Sequence, residues 1–564
     1  MLFYDFEVFK EDWLVVIIDT DAEIIHEIVN DRSELNRIYQ ANRNNIWIGY
    51  NSRRYDQYIL KAILSGFNPK EINDFMIVEG KGGWEFSSLL SKFPLINFDI
   101  MTSMHSLKQL EGFMGNNIKE TSVPFDIDRK LTDKEIQEVL KYCRHDVEQT
   151  MEVFLNRKEE FESHMGLIKA FNLPLSYMSK TKAQLSAIIL NAQKQQYDDE
   201  FEISIVKPLQ LSKYSYIKDH YLNPINLDYD KKLTTEIYGV KHILAFGGIH
   251  GALDNYIDDG FYVMSDIASM YPSLMILFNF LSRNVVEPKK FEEIRDTRIK
   301  YKRAKNPLQA PLKIVINGTY GASKDKNNAL YDPLMANNVC INGQLLIVDL
   351  LEKLEMAFGN DLMLIQSNTD GILVKLKDPS DYDKYVAVCK EWETRTGFEL
   401  EHDKYCKVYQ KDVNNYIIVD NTGHYKSKGA YVKKLNKLDY DLPIVNKALV
   451  NYFLHNVPVE KTILECDDLI EFQKIVKISS KYKFADHNGE VLHEKTFRVF
   501  ASRVRSDGGI FKVKINTREK IANTPVKCFI MNDDINGMSC PRALDKRWYV
   551  ELAEKRIKDF KGEK

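Results

Sequence analysis

The first half of the N-terminal region alternates between apolar runs and short polar breaks. Positions 2–8 are apolar except for Asp5 and Glu7, and positions 13–18 are all apolar, a pattern typical of a β-hairpin. A third apolar run at 46–50 precedes a helical pattern that starts at Tyr58. Strands followed by helices indicate an α/β unit, which we expect to end near residue 160.

A capping box marks the last helix of this unit. Thr132 is followed three residues later by Glu135, and apolar positions then recur at helical spacing. The pattern predicts a helix that carries Tyr142 and Asp146 on one face, because side chains four residues apart are neighbours on a helix.

The middle of the chain changes pattern after a mixed region at 165–230. It predicts a strand that ends at Asp266, then two helices with a turn between them, then a β-hairpin with Asp370 at its tip. The predicted ranges are 182–195, 291–303 and 312–320 for helices, and 261–264, 362–365 and 372–374 for strands.

Length and composition limit the class of protein. At 564 residues the chain should hold about three or four domains. Its 44% hydrophobic and 28% charged residues are values of globular proteins. The apolar runs noted are shorter than the roughly 20 residues of a membrane span, and Asp5 and Glu7 interrupt any apolar leader. We therefore expect no membrane partner and a cytoplasmic location.

The 7 cysteines include no C-x-x-C pair, which argues against a disulfide framework and a zinc ribbon. We expect reduced thiols.

The formal charge of −3 would argue against a nucleic-acid partner only if charge were spread evenly along the chain. The charge is spread unevenly. Residues 295–326 hold nine Lys or Arg against two Asp, and residues 474–520 hold twelve Lys or Arg against five Asp or Glu. Each region therefore carries a net charge of +7. Solvated faces would explain either region alone. Two such regions on an acidic chain also mean that carboxylates are concentrated elsewhere.

One group of carboxylates belongs to the N-terminal unit. Asp5 and Glu7 share one face of the first strand, Asp56 follows the third strand, and Asp146 lies on the capped helix. An exposed acidic strand would explain Asp5 and Glu7 alone. Four carboxylates on one site would repel each other unless divalent cations held them together, and Mg²⁺ prefers such oxygen ligands.

These residues resemble the three motifs of a DEDD-type 3′–5′ exonuclease with a tyrosine in the last motif. The resemblance implies metal binding by the four carboxylates, a water-orienting role for Tyr142, and strand contacts by Asn51 and Tyr55. Ser106, Leu107, Lys108 and Lys119 fall where such domains place further contacts.

The second group resembles family B DNA polymerases. Residues 266–273 (DIASMYPS) resemble the D-x-x-S-L-Y-P-S motif, Lys313 to Gly321 resemble K-x3-N-S-x-Y-G, and residues 367–371 (SNTDG) resemble the D-T-D turn. Asn414–Gly429 resembles, loosely, the elements that hold primer-template duplex. The motifs follow the family's order over about residues 1–430. The resemblance implies the catalytic metal ligands Asp266 and Asp370, the nucleotide-binding residues Tyr271, Arg298, Lys302, Lys313, Asn317 and Tyr320, and the DNA contacts Thr369, Tyr416 and Lys428.

Each match has an alternative explanation. Tyr271 could close the pocket against a ribose 2′-OH or could be an ordinary core residue. Arg298 and Lys302 could neutralise triphosphate or lie on a solvated helix face. Asn368 replaces the first Asp of the turn, so the rival functions are a nuclease with an inactive polymerase body and a non-catalytic nucleic-acid-binding scaffold.

The implied fold is multidomain, α/β and α+β: a ribonuclease H-like exonuclease domain followed by a right-hand polymerase. We predict an exonuclease domain at 1–160, a connecting region at 161–240, palm at 241–289, fingers at 290–325, palm again at 326–435, and thumb with the C-terminal region at 436–564.

The implied enzyme is a DNA-directed DNA polymerase with proofreading, acting on primer-template DNA and dNTPs with two Mg²⁺ per active site, for which Mn²⁺ can substitute. Short intervals between motifs, 47 positions from Asp266 to Lys313 and 49 from Gly321 to Asp370, favour a compact bacteriophage or prophage type. They make a terminal protein an unexpected partner, although protein priming stays an alternative. Replication accessory proteins are further expected partners, and for a phage type the expected location is the cytoplasm of a bacterial host cell.

Overall fold

Residues 1–21 and 23–563 are described by a computed structural model of the chain. They form a multidomain α and β structure that divides into two units. Unit 1 comprises Met1–Thr181, Leu435–Ile444 and Ile463–Tyr549, and unit 2 comprises Lys182–Lys434, Val445–Thr462 and Val550–Lys564. The segment 436–564, predicted as thumb and C-terminal region, is thus divided between the two units.

The N-terminal part of unit 1 is a five-stranded sheet in the order β3-β2-β1-β4-β5. Its first two strands form the predicted hairpin, and β4 and β5 run parallel to β1. The strands are β1 (Leu2–Val8), β2 (Trp13–Asp19), β3 (Ile25–Val29), β4 (Trp47–Gly49) and β5 (Asn97–Asp99).

Eight helices accompany this sheet: α1 (Arg32–Ala41), α2 (Asp56–Ser65), α3 (Pro69–Ile77), α4 (Gly83–Phe86), α5 (Ser88–Lys92), α6 (Leu107–Met114), α7 (Asp133–Asn156) and α8 (Lys158–Ala170). The predicted capping box is present, with Thr132 accepting from the Glu135 backbone N–H at the start of α7. Helix α7 packs against β1 and β2. Helix α2 begins two residues before the predicted start, so Asp56 lies in its first turn.

Unit 2 is built on a nine-stranded sheet in the order β14-β13-β12-β9-β11-β10-β8-β7-β6. The predicted hairpin is present as β10 and β11, and the strand that ends near Asp266 is longer than predicted. The strands are β6 (Lys232–Ile237), β7 (Val240–Ala245), β8 (Gly248–Ala252), β9 (Tyr256–Ile267), β10 (Leu362–Asn368), β11 (Gly371–Leu376), β12 (Leu400–Asp412), β13 (Asn415–Val419) and β14 (Tyr425–Lys428).

The helices of this part of the chain are α9 (Lys182–Ile189), α10 (Ser215–Leu222), α11 (Met270–Leu277), α12 (Pro288–Arg303), α13 (Gln309–Lys324), α14 (Pro333–Phe358) and α15 (Tyr382–Thr396). The two helices predicted at 291–303 and 312–320 correspond to α12 and α13, which pack against each other. Helix α9 ends six residues before the predicted end, at Ile189.

Helix α14 organises the connecting region, which the sequence left undefined. Polar side chains along the helix accept hydrogen bonds from backbone N–H groups of the irregular segment 204–214, which satisfies donors that would otherwise be buried unpaired. The acceptors are Asn338, Asn342, Asp349 and Glu352, and the donors are Ser204, Val206, Gln210, Ser212 and Tyr214.

The same helix is also the candidate for a membrane span among the described residues. Pro333–Asp361 is the one stretch there that is long and apolar enough to cross a membrane, but 94% of its most apolar window is buried in the protein. Burial of that kind is typical of a core helix in a folded domain. All 7 cysteines are free thiols, as predicted.

The C-terminal part adds two small antiparallel sheets to unit 1, in the orders β15-β18-β21 and β17-β16-β19-β20. Its elements are α16 (Pro443–His455), α17 (Val459–Glu465), β15 (Lys474–Lys477), β16 (Phe484–His487), β17 (Glu490–Leu492), β18 (Thr496–Ala501), β19 (Ile510–Val513), β20 (Arg518–Lys520), β21 (Cys528–Ile530) and α18 (Lys546–Lys561).

A buried arginine fastens these sheets to α6. Arg498 on β18 is fully buried, and its guanidinium donates to the carbonyl oxygens of Gly112 and Asn116 at the end of α6. It also donates to Gln473 Oε1 and Asp533 O. Because a buried charge is costly without partners, this cluster fixes the position of α6, the helix that carries Lys108.

Candidate active sites

Unit 1 brings together the four carboxylates that the sequence singled out. Asp5 and Glu7 lie two apart on β1, Asp56 opens α2, and Asp146 lies in the middle of α7. The backbone N–H of Phe6 donates to Asp56 Oδ1 at 3.2 Å, which ties the start of α2 to β1.

The charges of this carboxylate cluster act on one another. Burial, followed by the charge of Asp56, raises the pKa of Asp5 well above its ordinary value. Burial, followed by the charge of Asp146, likewise raises the pKa of Glu7. Burial raises the pKa of Asp56 to about 7. Without a cation the cluster therefore holds protons that it would release on binding one. Buried carboxylate oxygens are the donor set that Mg²⁺ and Mn²⁺ prefer, so the residues fit a divalent metal site.

Lys108 is a fifth charged residue in this cluster. Its ammonium lies 2.6 Å from Asp146 Oδ1 and 3.0 Å from Glu111 Oε2, and all three side chains are buried. Burial alone would lower the lysine pKa, but the charges of Asp146 and Glu111 raise it overall. The sequence placed Lys108 only among further contacts. The structure makes it the counter-ion of a predicted metal ligand.

Tyr142 faces the same lysine. The Lys108 ammonium lies 4.7 Å from the centre of the Tyr142 ring. Burial, followed by the charge of Asp146, raises the pKa of the phenol, so it stays a neutral hydrogen-bond donor. The neighbouring Cys143 thiol donates to the Asp5 carbonyl oxygen at 3.3 Å, which fastens α7 to β1 beside the carboxylates.

The loop between β4 and α2 carries Asn51 and Tyr55. Asn51 has a left-handed backbone (φ 60°), which asparagine tolerates better than most residues. Asp99 holds the loop there, because its carboxylate accepts from the backbone N–H groups of Asn51 (2.9 Å) and Arg53 (3.0 Å). The Tyr55 hydroxyl donates to Asn73. Asp99 was missed from sequence, because a lone carboxylate after a short strand carries no motif.

The remaining predicted contacts of unit 1 lie at the start of α6. Ser106 is the N-cap of this helix, with a capping box to Gln109, and Leu107 is its first residue. Lys119 instead forms an exposed ion pair with Asp533 at 2.5 Å.

Unit 2 brings Asp370, in the turn between β10 and β11, next to Asp266 on the neighbouring strand β9. Asp266 near the end of β9 is opposite Gly371 on β11, and the Ile267 N–H donates to the Asp370 carbonyl oxygen at 2.8 Å. A Cβ at residue 371 would lie 2.0 Å from Asp266 Oδ1, so only glycine leaves room for the carboxylate. Burial, followed by the charge of Asp370, raises the pKa of Asp266 to about 6.

A cavity of about 400 Å³ opens beside this pair. Among the nucleotide-binding residues predicted from sequence, those in its lining are Tyr271, Arg298, Asn317 and Tyr320, together with Thr369 and Asp370. The rings of Tyr271 and Tyr320 lie 4.3 Å apart between centroids. An aromatic wall, an arginine and the carboxylate of Asp370 are thus brought to one cavity from α11, α12, α13 and the β10–β11 turn.

Arg298 is held in place by a strained residue. Ser269 adopts a left-handed backbone (φ 51°), and its hydroxyl accepts from Arg298 Nη1 at 3.2 Å. Such a conformation is costly for serine, and strained residues cluster at functional sites. Burial lowers the pKa of Arg298, although an arginine stays charged at neutral pH.

Two predicted cations lie outside the cavity lining. Lys313 is exposed on α13, and Lys302 on α12 forms an exposed ion pair with Glu401 at 3.6 Å. The predicted duplex contacts Tyr416 and Lys428 are opposite one another on β13 and β14. Tyr416 lies close enough to Asp266 and Asp370 for their charges to raise its pKa, although burial is the larger cause.

No protein-family model matches the chain. Over 228 residues it is 27% identical to DNA polymerase 1 of Saccharolobus solfataricus, covering 37% of this chain and 24% of that protein. DNA polymerase 1 of Sulfurisphaera ohwakuensis is 28% identical over 198 residues, covering 35% of this chain and 21% of that protein. The sequence similarity is therefore to archaeal DNA polymerases, and it covers about a quarter of their length.

Among solved structures, one that the comparison matches to this chain is that of the family B DNA polymerase from Pyrobaculum calidifontis. The alignment has a TM-score of 0.43 and 13% identity, and it covers 99% of this chain and 77% of that chain.

Proposed function

We propose that this chain is a family B DNA polymerase that extends a primer 3′-OH with dNTPs. The observation that carries the proposal is that Asp266 on β9 lies next to the β10–β11 turn with Asp370, and that Asp370 lines a cavity together with Tyr271 and Arg298. Sequence similarity to archaeal DNA polymerases supports it. For replication the enzyme would be of the compact phage or prophage type with a nucleic-acid primer.

The residues around the cavity have separate roles in this proposal. Asp266 and Asp370 would hold divalent cations, which when bound lower the pKa of the primer 3′-OH and neutralise the triphosphate. Arg298 binds phosphate oxygens, Asn317 and Tyr320 face the incoming base, and Tyr271 excludes a ribose 2′-OH. Lys302 and Lys313 would need a change of side-chain conformation to reach a triphosphate in the cavity.

We further propose that the carboxylate cluster of unit 1 is a 3′–5′ proofreading exonuclease site. Asp5, Glu7, Asp56 and Asp146 would hold the cations that activate a water for phosphodiester hydrolysis. Support comes from their mutual charge effects and from Lys108, which leaves Asp146 neutralised until a cation binds. Tyr142 would orient the attacking water as a neutral donor.

A labelled primer tests both activities of the wild-type chain at once. A 5′-labelled primer on a longer template, with Mg²⁺, should lengthen when dNTPs are present and shorten when they are absent. A primer that neither lengthens nor shortens would contradict the whole proposal. If the chain then still binds the DNA, a non-catalytic scaffold is favoured.

One observation favours a second candidate, a nuclease with an inactive polymerase body. Asn368 stands where the resembled turn has an aspartate. If the wild-type chain shortens the primer but never extends it, and Asn368→Asp starts synthesis, this second candidate is right. Extension by the wild-type chain excludes it.

A further inference from the structure

The turn that carries Asp370 is fastened to the neighbouring strand β8 by a histidine. His250 Nδ1 lies 2.8 Å from Asn368 Oδ1. Their proximity follows from the strand register. Ser367 on β10 is opposite Gly251 on the antiparallel strand β8, and Asn368 and His250 are the next residues along these two strands. Because an amide oxygen can only accept, Nδ1 is the donor in this hydrogen bond.

The same oxygen has a second donor. The backbone N–H of Thr369 donates to Asn368 Oδ1 at 2.9 Å. An amide oxygen has two lone pairs, so both are used in fixing the turn between β10 and β11. The Thr369 hydroxyl also lies 3.5 Å from this oxygen. The side-chain oxygen of Asn368 therefore braces the turn and has no lone pair left for a cation.

A second histidine holds the preceding residue of β10. His242 on β7 is buried, with Nδ1 2.7 Å from the Val240 carbonyl oxygen and Nε2 2.6 Å from Ser367 Oγ. Nδ1 must donate to the carbonyl, so Nε2 accepts from the serine hydroxyl. A Cβ at residue 251 would lie 2.3 Å from the His242 ring, so Gly251 makes room for it. Two histidines thus hold two successive residues of the strand that leads to Asp370.

We propose that His250 is a positioning residue for the Asp266 and Asp370 site, acting through Asn368. The inference rests on the proposed polymerase function of that site. The amide at residue 368 is matched to the imidazole: it gives the acceptor that the turn needs without adding a negative charge two residues from Asp370. The absence of the aspartate is then an adaptation of this chain and not a loss of function.

Three substitutions of His250 separate a positioning role from an ordinary surface contact. His250→Asn keeps an N–H donor at the δ position, His250→Gln moves the donor to the ε position, and His250→Ala removes it. All three are made together with Asp5→Ala, which removes the shortening activity. A surface contact without function would make the three variants equal, whereas positioning leaves only the Asn variant with the wild-type kcat.

Two readouts are needed, one of them independent of synthesis. A lost hydrogen bond of about 0.5–1.5 kcal/mol corresponds to an about 2- to 12-fold change. We expect His250→Ala and His250→Gln to lower kcat for dNTP addition by that factor with KM for dNTP unchanged, and His250→Asn to retain the wild-type kcat. Mn²⁺ titration followed by electron paramagnetic resonance, with Asp370→Asn as the zero reference, should show the same order for cation affinity.

A double-mutant cycle tests the pairing itself. Asn368→Ala should lower kcat as His250→Ala does, and the double variant should be no worse than either single variant. Multiplying effects in the double variant would overturn the proposal, as would equal kcat and Mn²⁺ affinity for all three His250 variants. If the wild-type chain extends no primer, the proposed function fails, and the Mn²⁺ series alone still decides the role of His250.

Discussion

The two carboxylate sites differ in how their negative charge is balanced. In unit 1 four carboxylates share one site, three of them buried, and Lys108 from α6 neutralises one of them within 2.6 Å. In unit 2 Asp370 lines a cavity of about 400 Å³, and Asp266 lies on the strand beside it. The cation whose charge acts on Asp266 is Lys426, which itself pairs with Asp403 at 2.8 Å.

The difference indicates two ways of preparing a metal site. The buried cluster carries its own counter-ion and holds protons until cations replace them. The carboxylates of the open pair can be neutralised by cations that arrive with a substrate. The position of Asp266 depends on free space next to Gly371, more than on a neighbouring charge. Substitutions that add bulk should therefore reduce the activity of the unit 2 site most. Substitutions that remove a charge should reduce the activity of the unit 1 site most.

The largest expected effect is steric. Gly371→Ala would place a Cβ 2.0 Å from Asp266 Oδ1 and displace that carboxylate. We expect extension to fall by about a thousandfold, since metal-held charge stabilisation is worth several kcal/mol, with shortening unchanged. Gly247→Ala is the control, because nothing lies within 4 Å of a Cβ at that position. Equal extension by both variants would contradict the steric explanation.

A smaller effect is expected from the counter-ion of unit 1. Lys108→Ala leaves Asp146 and Glu111 buried without their partner, so we expect shortening to fall about 100-fold, equivalent to roughly 3 kcal/mol, with extension unchanged. Lys61→Ala is the matched control, because Lys61 is also buried in unit 1 but donates to Gln57 and contacts no carboxylate among the described residues. Rates of single-turnover digestion measure both. If the Lys61 variant loses as much shortening, a general loss of stability explains the result.

The smallest effect is on stability and depends on pH. The pKa of Asp56 is about 7 in the folded chain, against about 3.9 in an unfolded one. The folded state binds the extra proton, so stability is greatest below the unfolded pKa and is lost as pH rises to 7. Without metal, lowering the pH from 8 to 6 should stabilise unit 1 by about 1.4 kcal/mol through Asp56.

Thermal melting followed by tryptophan emission measures this contribution. The wild-type chain should gain about 3–6 °C more than Asp56→Asn between pH 8 and 6 in chelator. Added Mg²⁺ at pH 8 should raise the melting temperature of the wild-type chain as the lower pH does. An identical pH response of the two proteins would show that Asp56 is already charged, and the buried-cluster description would then be wrong.

Much of the fold could be predicted because it rests on local patterns. The hairpin at the N-terminus, the capping box at Thr132 and the β10–β11 hairpin each have a signal within a few residues. The carboxylates of both groups were singled out in the same way, through short motifs on a strand, at the end of a strand or on a capped helix. Helix α9 was predicted too long, since apolar periodicity alone does not mark where packing ends a helix.

The rest could not be predicted because it depends on contacts between distant residues. Lys108 meets Asp146 across 38 positions, and His250 meets Asn368 across 118. Arg498 reaches Asn116 across 382 positions. Single lysines, histidines and arginines carry no motif, so only the packing of α6 and the register of β8 and β10 reveal their roles.

The central claim, two sites with separate chemistry, is tested most directly by crossed substitutions in one assay. The 5′-labelled primer on a longer template, with Mg²⁺, is incubated with Asp370→Asn and with Asp5→Ala, each with and without dNTPs. We predict that Asp370→Asn loses extension and keeps shortening, and that Asp5→Ala does the reverse. Loss of both activities from either variant, when its circular dichroism shows a folded protein, would contradict the two-site account.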